Sequence, residues 1–121
     1  EEVALDFPEL RFCLAHMGFP WVKETAMMIL KYPNVYADTS ALYFDSAYEF
    51  YEYLFKQELG YGWLDRSLRH KVMFGSNMPR FEEMRMLAAL KRLGLREETV
   101  ELITEDNALV FLGEREQAWL G

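Results

Sequence analysis

Lys71-Val-Met-Phe-Gly-Ser-Asn-Met-Pro-Arg80 is the stretch whose reading decides the fold. A short apolar run stops at Gly75, polar Ser76 and Asn77 follow, and Pro79 leads into a helical pattern. An apolar strand that delivers polar side chains at its C-terminal end, just before a helix, is how parallel α/β folds build sites. The run from Phe12 to Ala15 ends on His16 in the same manner. Val35-Tyr-Ala-Asp-Thr-Ser40 is a further strand, and its two-residue period puts Tyr36, Asp38 and Ser40 on one face. Strands are therefore expected over residues 11–15, 35–40 and 72–74.

Helical patterns separate these strands. Residues 1–7 read as the last turns of a helix ended by Pro8. Pro20 suits a first helical turn, and residues 21–32 follow with Val22, Ala26, Ile29 and Leu30 on one face. Ser46 and Glu49 form a capping box that opens a helix over residues 47–59. Tyr48, Tyr51 and Phe55 lie along one side of it and are expected in the core or against the rest of a barrel. A short helix over 63–69 leads into the third strand. Residues 81–93 carry an apolar stripe of Met86, Ala89, Leu90 and Leu93, closed by Gly94. Residues 97–104 form another helix, and Asp106 or Asn107 caps a final one that ends at Gly113.

Strand and helix thus alternate three times, which implies βαβ units and a parallel sheet with right-handed crossovers. A complete eight-unit barrel takes about 250 residues. A chain of 121 residues holds something under half of that, with two strand edges to protect. The chain begins without methionine, on what reads as a helix already under way, and it is expected to be part of a longer protein.

Half the residues are apolar, so the chain is globular. A net charge of −7 argues against a nucleic-acid partner, whose phosphates demand a basic surface. No apolar stretch approaches membrane-spanning length, so no membrane partner is expected. The single cysteine, Cys13, sits in an apolar run and reads as a buried, reduced thiol of a cytoplasmic protein.

The motifs together resemble those of the amidohydrolase-related (amidohydrolase family 2) metal-dependent hydrolases. Pro8-Glu-Leu-Arg-Phe-Cys-Leu-Ala-His-Met-Gly18 is similar to their sixth strand, and Tyr32-Pro-Asn-Val-Tyr-Ala-Asp-Thr-Ser40 to their seventh. Val72-Met-Phe-Gly-Ser-Asn-Met-Pro79 resembles the eighth, usually phenylalanine–glycine–serine–aspartate–x–proline. Asp106-Asn-Ala108 and Leu112-Gly113 resemble the family's closing residues. The resemblance implies a partial TIM (β/α)8 barrel: one unit over residues 1–121, about three consecutive parallel βα units like strands 6 to 8, plus C-terminal helices. It also implies a divalent metal, most often zinc, and hydrolysis or decarboxylation of a small carboxylated substrate.

Carried over by position, His16 is the sixth-strand histidine, a base or substrate contact. Asn77 stands where the family has an aspartate that binds metal and accepts a proton. An amide oxygen ligates weakly and cannot act as a general base. Ser76 and Arg80 are candidate substrate contacts, Arg80 for an anionic group. Asp38 and Ser40 are expected to bond backbone at the strand end, and His70 to be solvated. The first- and fifth-strand metal ligands have no counterpart, so this chain alone is expected to bind no metal and to be inactive. The missing partner would be another barrel segment or a second copy. The alternative is a catalytically inactive part-barrel serving as a binding or oligomerisation module.

Overall fold

The computed structural model describes residues 2–40, 46–75 and 83–114. The elements follow the order α1 (Glu2–Asp6), β1 (Phe12–Leu14), α2 (Val22–Lys31), β2 (Val35–Asp38), α3 (Ala47–Glu52), α4 (Tyr61–Asp65), β3 (Val72–Met73), α5 (Glu83–Lys91), α6 (Glu97–Glu101) and α7 (Asn107–Phe111). The three strands form one parallel sheet in the order β1-β2-β3. Sequence neighbours are thus sheet neighbours, as in successive units of a barrel, and each strand is shorter than its apolar run.

The register aligns Phe12 with Val35, Cys13 with Tyr36, Ala37 with Val72 and Asp38 with Met73. Because side chains alternate along a strand, one face carries Phe12, Leu14, Val35, Ala37 and Val72. Those residues join the helices in the core, with Val22, Ala26 and Ile29 of α2, Phe50 and Tyr51 of α3, and Met86, Ala89 and Leu90 of α5. Each fully buried side chain of the size of Phe50 or Ile29 contributes about 1.5–3 kcal/mol.

The opposite face carries Cys13, Tyr36, Asp38 and Met73. Its N-terminal end is closed by α7, where the Phe111 ring meets the Tyr36 ring edge-on at 5.3 Å. The Lys71 ammonium lies 4.8 Å from the Tyr36 ring centre. The C-terminal end of this face holds the polar strand-end residues.

Several expectations are corrected. Cys13 is exposed rather than buried, because it points to the face opposite the helices. Leu30 is exposed at the edge of α2's apolar stripe, which is narrower than the sequence period implies. Pro20 lies ahead of α2, in a turn after a cis Phe19–Pro20 bond. His70 is half-buried rather than solvated, and burial together with the nearby Arg69 charge depresses its imidazole. The expected cap at Asp106 or Asn107 is absent: both residues are helical, and the winding continues from Glu97 to Phe111 through a π-helical segment, Leu102–Asp106. A like segment, Tyr53–Glu58, extends α3.

Other expectations hold. Ser46 Oγ accepts the Glu49 amide at 3.1 Å and caps α3. Tyr51 and Phe55 are buried, and Gly94 adopts φ +79° after α5. Apart from those expectations, no helix among the described residues is long and apolar enough to cross a membrane.

Candidate functional site at the strand ends

His16 follows β1 by two residues, and Ser40 follows β2 by two. Parallel pairing brings these two ends side by side. The β1 backbone then turns sharply: His16, Met17 and Gly18 have φ of 58°, 51° and 68°. Left-handed conformation is costly for His and Met, and the surroundings hold it in place. Met17 is fully buried and anchors the turn. The Phe19 amide donates to His16 O at 2.9 Å and the Trp21 amide to Gly18 O at 2.9 Å.

Asp38 organises the site. Its Oδ1 accepts the His16 amide at 3.0 Å, the Ser40 amide at 3.1 Å and the Ser40 hydroxyl at 2.7 Å. The His16 ring lies against Ser40, with Nδ1 2.8 Å from Oγ and 2.9 Å from the carbonyl oxygen. Cys13 Sγ lies 3.8 Å from Asp38 Oδ2. Its thiol is pushed up to about 12, first by desolvation and then by the charge and hydrogen bond of Asp38. Cys13 therefore stays a thiol at neutral pH and is a poor nucleophile.

Thr39 ties β2 to β3. Its Oγ1 accepts the Tyr51 hydroxyl at 3.0 Å and the Gly75 amide at 3.1 Å, while the Thr39 amide donates to Met73 O at 2.9 Å. Burial raises the Tyr51 phenol. Gly75 packs close: a Cβ there would lie 3.4 Å from Ser40 Cβ and 3.7 Å from the Asp38 carboxyl carbon. The chain thus leaves β3 next to the His16–Ser40–Asp38 cluster, immediately before Ser76. Ser76, Asn77 and Arg80 themselves lie outside the described residues.

The expectation that Asp38 and Ser40 bond strand-end backbone is met for Asp38 but not for Ser40, whose hydroxyl bonds the Asp38 and His16 side chains, and together the two hold His16. The sequence reading missed that link. Its signal is the matching two-residue offset of His16 and Ser40 from the ends of adjacent parallel strands.

A parallel sheet with polar side chains gathered at its C-terminal edge makes the chain an α/β protein of the kind that builds sites at its strand ends. The amidohydrolase family model matches residues 1–113, and the chain belongs to that family. Among solved structures it is similar to the uncharacterized TIM-barrel protein Bb4693 from Bordetella bronchiseptica, with a TM-score of 0.69 and 22% identity. The match covers 93% of this chain and 37% of that one, so the chain spans little more than a third of that barrel. No curated protein matches the chain.

The family implies a metal, and the described residues do not build a site for one. Among them no three His, Cys, Asp or Glu side chains gather where a cation could sit. Asp38 Oδ1 is committed to three hydrogen bonds, and the Cys13 thiol is held protonated.

Proposed function

We propose that the chain supplies the C-terminal part of an amidohydrolase barrel, equivalent to strands 6 to 8, and that the assembled barrel hydrolyses or decarboxylates a small carboxylated substrate. The observation that carries this reading is His16, fixed at the C-terminal end of β1 by Asp38 and Ser40 from the end of β2. A positioned imidazole at that end of a barrel strand is suited to move a proton or to contact substrate. Ser76 and Arg80 serve as substrate contacts, with the Arg80 guanidinium matched to a carboxylate. A divalent metal, zinc by preference, would draw its ligands from the rest of the barrel, with Asn77 the one ligand candidate here. A cytoplasmic setting accords with the single cysteine.

The test is turnover by the complete barrel on a panel of small carboxylated lactones, amides and unsaturated acids. His16→Gln is expected to lower turnover by about 10²-fold or more. Unchanged turnover would remove His16 from the chemistry. Asn77→Asp is expected to raise metal affinity or turnover, and no change in either would place Asn77 away from the metal.

A second reading, a part-barrel that assembles without catalysis, is favoured by exposed apolar side chains. Val3, Leu5, Phe7 and Leu10 in and after α1 are each about half exposed or more. A monomer by light scattering that binds zinc tightly would count against it.

A further inference from the structure

The contacts of His16 determine which ring nitrogen carries the proton. Ser40 O, 2.9 Å from Nδ1, is a carbonyl oxygen and can only accept. Ser40 Oγ, 2.8 Å from Nδ1, gives its own proton to the Asp38 carboxylate at 2.7 Å. The hydroxyl therefore turns a lone pair towards the ring. Both contacts require an N–H at Nδ1, and the neutral imidazole then keeps its lone pair on Nε2.

We infer that Asp38 and Ser40 are positioning residues that hold His16 in the Nδ1–H tautomer, so that Nε2 is the nitrogen offered to substrate. Asp38 acts through Ser40. Without the carboxylate to hold its proton, the hydroxyl could rotate and donate to Nδ1, which favours the opposite tautomer. Asp38 also holds the His16 amide, at the residue whose φ of 58° starts the left-handed turn. One carboxylate thus sets both the direction of the ring and its protonated edge. The role of Nε2 in catalysis rests on the proposed function; the tautomer itself does not.

The experiment labels the histidines of the full chain with ¹⁵N and records two-bond ¹⁵N–¹H correlations at a pH where the rings are neutral. Signals that vanish in His16→Gln belong to His16. The wild type is expected to show a protonated Nδ1 and an unprotonated Nε2, in a ratio of roughly ten to one or more. Asp38→Asn keeps a neutral acceptor for the two backbone amides and the hydroxyl but removes the charge, and it is expected to lower the ratio at least several-fold. Ser40→Ala should give an intermediate ratio, because the Ser40 carbonyl remains, and Ser40→Thr should restore the wild-type ratio. A wild type with the proton on Nε2, or a ratio that neither Asp38→Asn nor Ser40→Ala moves, would overturn the inference. Turnover in the complete barrel reports separately. A locked tautomer with turnover indifferent to His16→Gln refutes the catalytic reading and leaves the tautomer standing.

Discussion

Gly18 ends the left-handed run that aims His16, and two constraints meet at it. Its φ is +68°, which costs an L side chain about 1–2 kcal/mol. A Cβ would also lie 1.8 Å from Thr25 Oγ1 and 2.9 Å from Thr25 Cβ on α2, where Thr25 is buried. Gly18→Ala is therefore expected to destabilise the chain by about 3 kcal/mol, the sum of a backbone cost and an overpacking cost. Adding Thr25→Ala removes the hydroxyl contact but keeps the Cβ at 2.9 Å, so it should recover only part of the packing cost and leave about 2 kcal/mol. Urea unfolding of the two variants isolates the hydroxyl contact, and equal losses in both would mean that this contact costs nothing. At this scale the sequence marks His16 by its place after an apolar run, and Gly18 as the end of the motif. It does not show that His16 and Met17 are left-handed too, because nothing in either side chain favours that conformation. Buried Met17 and the Asp38–His16 bond impose it from outside the segment.

Among the elements, α7 closes what the sheet leaves open. Asn107 is 2% exposed, and its amide donates to Arg69 O at 2.6 Å and Val72 O at 2.8 Å. The Phe74 amide donates to Ile103 O at 2.8 Å. The β3 edge, expected to need protection, is thus partly covered by the C-terminal helix, which satisfies backbone groups a fourth strand would otherwise have to meet. At its other end the Phe111 carbonyl accepts Arg11 Nη1 at 3.1 Å, just before β1. Asn107→Ala would leave two carbonyls short of a donor and is expected to cost about 3 kcal/mol. Asn107→Asp, which has the shape but offers no donor and adds a charge facing carbonyls, should cost at least as much. A lowered urea midpoint at unchanged slope checks both, and an Asp variant as stable as wild type would deny the hydrogen bonds their role. The contrast shows what could be read. Three strands and the helices between them were visible because apolar runs end at Gly75, His16 and Asp38 and because Ser46 caps α3. The cap expected at Asp106 or Asn107 was misread, since asparagine bonds local backbone and distant backbone equally well. No glycine or proline interrupts residues 97–111, and that continuity was the better guide to an unbroken helix. The π-helical segments left no mark in the apolar period.

Across the whole molecule, the sheet face opposite the helices carries two perturbed groups on the two sides of Tyr36, and they act on stability in opposite directions. On the β3 side Lys71 is buried beneath Tyr36, its Nζ donating to Tyr32 O at 2.8 Å. Burial pushes its ammonium down from 10.5 to about 8. Below pH 8 the folded state carries the full cost of that buried charge. Between pH 8 and 10.5 the folded chain releases the proton that the unfolded chain retains, so stability rises with pH. On the β1 side of Tyr36, Cys13 is pushed up from 9.0 to about 12. For this thiol the unfolded chain loses its proton first, so stability falls as pH rises from 9 to 12. The raised phenol of Tyr51 adds to that fall above pH 10. As far as these groups decide it, the unfolding free energy climbs from pH 8, flattens where the effects overlap, and declines above pH 10.5. Lys71→Met removes a charge that burial penalises, and it should abolish the climb while leaving the decline. Cys13→Ala should preserve the climb and soften the decline. Urea unfolding of the three proteins from pH 7 to 11 decides the matter. A wild-type profile that falls steadily over this whole range, unchanged by Lys71→Met, would show that the Lys71 ammonium is solvated rather than held under Tyr36.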